Sequence, residues 1–190
     1  MMERAEKNEF LNPKLLELLG DEKAITKLFS EVENGKYDKK TLFEIKIAGI
    51  KFPLYIRSIR ADMQSFNNTF IDPYLDKKAY LSDSKFVIDA GANIGFTAVL
   101  FANWWPSCKI ISIEPDKENY ELALKNTVHY PNITVINAGL WNKDAKLRIE
   151  AGQEDGFVVR EVNDNSQEVK NENLTTGISI DHLLSTTTSL

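Results

Sequence analysis

The amino-acid sequence predicts an α/β fold built around a parallel sheet, and three observations predict it. Short runs rich in aliphatic and β-branched residues recur at 85–90 (KFVIDA), 109–114 (KIISIE) and 133–137 (ITVIN). Segments of helical length, about 94–104 and 117–128, separate them. The first run ends in a glycine-rich bend, DAGANIG at 89–95, where an extended chain can pass abruptly into a helix. Strands alternating with helices of this length pair in parallel through right-handed crossovers.

Taken in order, residues 1–35 read as two helices. Asn12 caps the first, Pro13 opens it and Gly20 stops it; Asp21 opens the second and Asn34-Gly35 closes it. LFEIKIAGIKFPLYIRS alternates apolar and polar residues about a turn near Ala48-Gly49, the pattern of a β-hairpin. A short helix follows over 62–71, with Phe66 and Phe70 on its packed face beside Tyr74. The helix over 94–104 is apolar almost all round, as expected of one packed between a sheet and another layer; Trp104 and Trp105 close it as packing residues. The helix over 117–128 carries Tyr120, Ala123, Leu124, Thr127 and Val128 along one side, which reads as its inward face, and Asp116 as its cap. Beyond Gly139, AKLRIE and GFVVREV read as an antiparallel pair, NDNSQEVKNEN as a solvated segment, and GISIDHLLSTTTSL as a short strand and one helical turn. Two parts follow: 1–80, with helices, hairpin and short helix, and 81–190, with the parallel sheet.

Composition narrows the partners. At 190 residues the chain can bury one proper core. Net charge is −5 and no block of Lys and Arg is dense enough to track phosphates, so nucleic acid is not expected. The longest apolar run, FTAVLFA, is too short to span a bilayer, and the N-terminus has no secretory pattern, so a cytoplasmic protein is expected. The single cysteine, Cys108, reads as a buried thiol. His129 and His182 read as surface or cap residues rather than bases, and no metal-ligand spacing is visible.

The bend at 89–95 carries the chemistry. Backbone N–H groups at a helix start favour an anionic group, and Gly91 and Gly95 allow tight bending and close approach of a ligand. The dinucleotide pattern G-x-G-x-x-G is absent, because Asn93 stands two places after Gly91. S-adenosylmethionine has an ammonium and a sulfonium but no pyrophosphate, so Asp89 at the strand end suits its amino group while the helix start suits its carboxylate. Glu114 closes the second strand 23 positions after Gly91, near the spacing of an acid that grips a ribose. Both strands end on the same edge of a parallel sheet. Asn137, after the third strand, suits either an adenine edge or a turn. These residues alone leave a ligand site and a merely tight strand-to-helix bend both open.

FVIDAGANIGFTAVLFA, ISIEPDKENYELALKN and NITVINAGLWNKDAKLRI together resemble the FkbM-type family of S-adenosylmethionine-dependent methyltransferases over residues 85 to about 150. RADMQSFNNTFIDPYL and GISIDHLL resemble flanking segments of that family. The resemblance implies a Rossmann-like class I methyltransferase sheet and methyl transfer to oxygen of a small-molecule or carbohydrate acceptor. It also implies S-adenosyl-L-methionine held by Asp89, Gly91, Ala92, Asn93, Gly95, Glu114, Pro115 and Asn137, with no catalytic residue assigned. Family members continue into a strand with K-I-D-x-E-G-A-E, which does not follow here. The sheet is therefore expected to be truncated after its third strand and the following insertion, with 86–90 left as an edge. The hairpin over 43–57, the strands around Leu147 and Val158, or a second copy in a homodimer are the expected ways of covering it. The alternatives from other classes are a non-catalytic interaction module, served by the leucine face of 15–19, and a NAD(P)-dependent oxidoreductase.

Overall fold

A computed structural model of the chain describes residues 40–71, 85–151, 157–162 and 173–187. The expected helices before residue 36, Tyr74 and most of the solvated segment after Val162 lie outside these residues. The chain divides into two compact units, Met1–Tyr80 and Leu81–Leu190.

In the first unit, β1 (Leu42–Ile45) and β2 (Leu54–Arg57) form an antiparallel pair with Leu42 opposite Arg57 and Ile45 opposite Leu54. The connection turns at Gly49, whose φ of 83° only glycine adopts readily. Helix α1 (Arg60–Phe66) runs on into a wider helical turn, Asn67–Ile71, so the helix expected over 62–71 is present as two coils of different width. Arg57 and Asp62 are both buried and paired. Asp62 Oδ1 accepts from Nη2 at 2.7 Å, and Oδ2 accepts from Nε at 2.8 Å and from the Arg57 backbone at 2.9 Å. One carboxylate thereby ties the end of the hairpin to the first turn of α1.

The second unit is the expected alternation. Strands β3 (Phe86–Ala90), β4 (Lys109–Ile113) and β5 (Ile133–Ile136) lie in that order, all parallel, with Asp89 beside Ser112 and Ile113 beside Ile136. Helices α2 (Phe96–Trp104) and α3 (Lys117–Thr127) make the crossovers. Among the described residues, β4 is the only strand paired with β3, whose residues are half-buried or exposed. The hairpin forms its own two-stranded sheet. The strands around Leu147 and Val158 also lie elsewhere: β6 (Gly139–Leu140), β7 (Ala145–Ala151), β8 (Phe157–Glu161) and β9 (Leu174–Ile178) form a second sheet in the order β6-β9-β7-β8. Within it β7 and β8 are antiparallel, as expected of AKLRIE and GFVVREV. The final helix, α4 (Ile180–Thr187), has about two turns rather than one. Its Leu183 packs with Ile111, Ile113 and Ala138 in a cluster that contains nothing from α2 or α3. The parallel sheet therefore has helices on both faces.

The packing of the two crossover helices meets expectation in one case and departs from it in the other. Helix α2 is buried nearly throughout, Trp105 packs against Phe101 with ring centroids 5.3 Å apart, and Cys108 is buried, all as the sequence indicated. Helix α3 is rotated from its apolar stripe. It buries Asn119, Leu122, Ala123, Asn126 and Thr127, while Leu124 is 41% and Val128 69% exposed. Hydrogen bonding explains the rotation, since a buried asparagine with partners replaces an aliphatic residue on the inward face.

Candidate functional site

The bend between β3 and α2 is held by hydrogen bonds from several directions. Gly91 N and Ala92 N both donate to the Ile113 carbonyl, at 2.9 and 3.0 Å, which fastens the bend to the end of β4. Asn93 N donates to Glu114 Oε2 at 2.7 Å. Asn126 Nδ2, from α3, donates to the Ile94 carbonyl at 2.8 Å. Gly95 N then donates to Ala92 O at 2.8 Å, and α2 begins. Three residues in this stretch have positive φ: Gly91 at 80°, Asn93 at 49° and Gly95 at 84°. A side chain other than glycine is uncommon in that region, asparagine being among the best tolerated.

The two glycines serve different ends. A Cβ on Gly95 would stand 3.3 Å from Ala123 and from Thr127 Cγ2, so this glycine lets α2 lie tight on α3. A Cβ on Gly91 would meet nothing within 4 Å. The open approach expected of both positions exists only at Gly91, and Gly95 is spent on helix packing.

The two acids lie on one side of the sheet. Asp89 Oδ2 accepts from Ser112 Oγ, its neighbour across the strands, at 3.3 Å. Glu114 stands two residues beyond Ser112, hence on the same side by strand alternation. It is only 4% exposed and gives Oε1 to Asp116 N at 2.9 Å as well as Oε2 to Asn93 N. Desolvation pushes the Asp89 carboxyl up to about 6, against the smaller opposing effect of Ser112. Desolvation likewise pushes Glu114 up to about 7, partly offset by the backbone donors of Asp116 and Asn93. Glu114 thus acts visibly as a brace that joins the bend to the start of α3. Asp116 caps that helix through Asn119 N at 2.9 Å, as its sequence position suggested.

Asn137 is exposed, and its amide nitrogen donates to the carbonyls of Glu114 at 2.8 Å and Pro115 at 3.1 Å. It fixes the loop that carries both residues. Pro115 is half-buried beside Gly139. Most telling is Asn93 Oδ1, which is buried and has no hydrogen-bond partner among the described residues. A buried acceptor without a donor is costly. Ser112 and Asn126 belong to the site and carried no distinguishing mark in sequence.

Away from the bend, His182 is tied by its ring Nδ1 to Asp144, and Ser179 Oγ, which caps α4, donates to the same carboxylate. This is a clip between β6–β7 and α4, and Ser179 is not aligned on the imidazole as a nucleophile. Among the described residues no group of three or more His, Cys, Asp or Glu is placed to hold a metal ion, and no helix is long and apolar enough to cross a membrane.

No family model and no curated protein sequence matches the chain. Solved structures similar to it include the methyltransferase FkbM from Methylobacillus flagellatus KT, at 20% identity and a TM-score of 0.31 over 50% of this chain and 25% of that one. They also include P. horikoshii TYW2 in complex with MeSAdo, at 20% identity and a TM-score of 0.39 over 67% of this chain and 50% of that one. The chain spans a quarter of the first protein's length and half of the second's.

Proposed function

We propose that the bend binds S-adenosylmethionine and that the protein is a methyltransferase of the FkbM type, acting on an oxygen of a small molecule or sugar. The observation that supports this reading is the unmatched Asn93 Oδ1 beside the open flank of Gly91. An adenosyl amino acid brings N–H and O–H donors to an acidic pocket and demands no pyrophosphate cradle. The crevice outside the carboxyl ends of parallel strands is where such a sheet takes its ligands. Asp89 faces the amino group, and Gly91 and Ala92 line the approach. Glu114, with Pro115 behind it, offers the ribose whatever lone pairs its backbone contacts leave, and Asn137 Oδ1 faces the adenine edge. Asn93 supplies the acceptor, and Gly95 keeps the helix start in place.

Once bound, the cofactor carries an electrophilic methyl on its sulfonium. The chain's contribution is alignment and exclusion of water, and transfer of this kind draws chiefly on orientation rather than on a strong base. Thermal unfolding with S-adenosylhomocysteine tests the reading. A site formed as proposed is stabilised by about 2.7 kcal/mol at 100 times the dissociation constant. No shift at millimolar ligand sinks it, and a shift with NADH in its place transfers the site to hydride chemistry.

A further inference from the structure

Among the described residues, the second sheet carries a face on which cations outnumber carboxylates. Arg148 on β7 lies directly opposite Arg160 on β8. Alternate residues of a strand share a face, so Lys146 and Glu150 lie beside them on β7. Among the described residues that face holds three cations and a single carboxylate. Arg160 Nε donates to Glu150 Oε2 at 2.9 Å. Arg148 comes no nearer than 3.9 Å to the other oxygen, and its Nε is buried without an acceptor. Lys146 is exposed and takes part in none of the ion pairs of this face. Like charges directly opposite weaken a sheet, and a buried guanidinium donor left unmatched weakens it again.

We propose that this face binds a tetrahedral oxyanion, such as the phosphate group of a small ligand, between Arg148 and Arg160. A guanidinium fork matches two oxygens of such a group at once, and two forks on adjacent strands match four-cornered geometry better than planar geometry. Rotation about the Arg148 side chain presents its hidden Nε to the anion while Glu150 stays with Arg160. Lys146 adds charge at the margin. The site uses no residue of the glycine bend, so it stands or falls separately from cofactor binding.

The test is a titration of the whole chain with inorganic phosphate, at ionic strength held constant with sodium chloride, following the arginine Nε–H resonances. Saturable shifts of Arg148 and Arg160 are expected, with none from acetate at equal concentration. Arg160 is 69% exposed, so Arg160→Gln leaves the fold intact, and it is expected to weaken phosphate binding about tenfold or more. Arg148→Lys, which keeps the charge and loses the fork, is expected to weaken it as well. Unchanged affinity in Arg160→Gln, or equal responses to phosphate and acetate, overturns the proposal.

Discussion

Glu114, at the end of β4, is 4% exposed and gives one oxygen to each of two backbone N–H groups. Glu150 and Glu161, on the neighbouring four-stranded mixed sheet, meet Arg160 and Lys143 through side chains that are all a third or more exposed. The first arrangement fixes where the main chain goes; the second mostly decorates a surface already made. The difference follows from dielectric surroundings. A carboxylate out of water is held by its partners or not at all, whereas an exposed ion pair is shared with solvent and screened by salt.

The comparison is sharpest where charge is buried on both sides. Asp62→Ala removes the buried carboxylate that pairs with Arg57, and chemical denaturation is expected to register a loss of about 3–5 kcal/mol. A loss under 1 kcal/mol would place this pair with the surface ones.

For Glu114 the expected signature is a pH dependence. Its folded pKa, about 7, lies above the ordinary glutamate value of 4.5, so the folded state holds the proton more tightly than the unfolded. Stability is then fully present below about pH 4.5 and declines as pH rises through 7. Asp89, raised to about 6, adds a slope of the same sign starting from 3.8. Asp144 and Glu161, lowered by their His182 and Lys143 partners, act in the opposite sense, and their contribution is lost as pH falls. Urea midpoints measured from pH 5 to 8 are expected to fall, and to flatten in Glu114→Gln. A rise over that range contradicts the assignment.

Asn126→Ala removes the donor to the Ile94 carbonyl, and a loss of about 1–3 kcal/mol is expected in thermal or chemical unfolding. The smallest effect belongs to the surface: Glu150→Ala is expected to change stability by about 1 kcal/mol or less, and less again in high salt.

The same contrast explains what the sequence disclosed. Strand and helix order, the hairpin turn at Gly49, the cap at Asp116 and the pairing of β7 with β8 were legible because periodicity and turn chemistry are local signals. The inward face of α3 was not, because Asn119 and Asn126 are buried for hydrogen bonds that only the folded chain defines. Gly91 and Gly95 look alike in sequence, yet one borders open space and the other a helix, a distinction made by Ala123 and Thr127 about thirty residues on. Glu114 stood out by spacing, while its contact with Asn93 N depends on a left-handed turn that composition does not announce.

Amide resonances of the chain, followed while S-adenosylhomocysteine is added, test the central claim most directly. The account expects saturable shifts centred on residues 89–95, 114–116 and 137, with Asn93 side-chain signals among the largest. Saturation with those residues silent, or shifts confined to the four-stranded sheet, would contradict it.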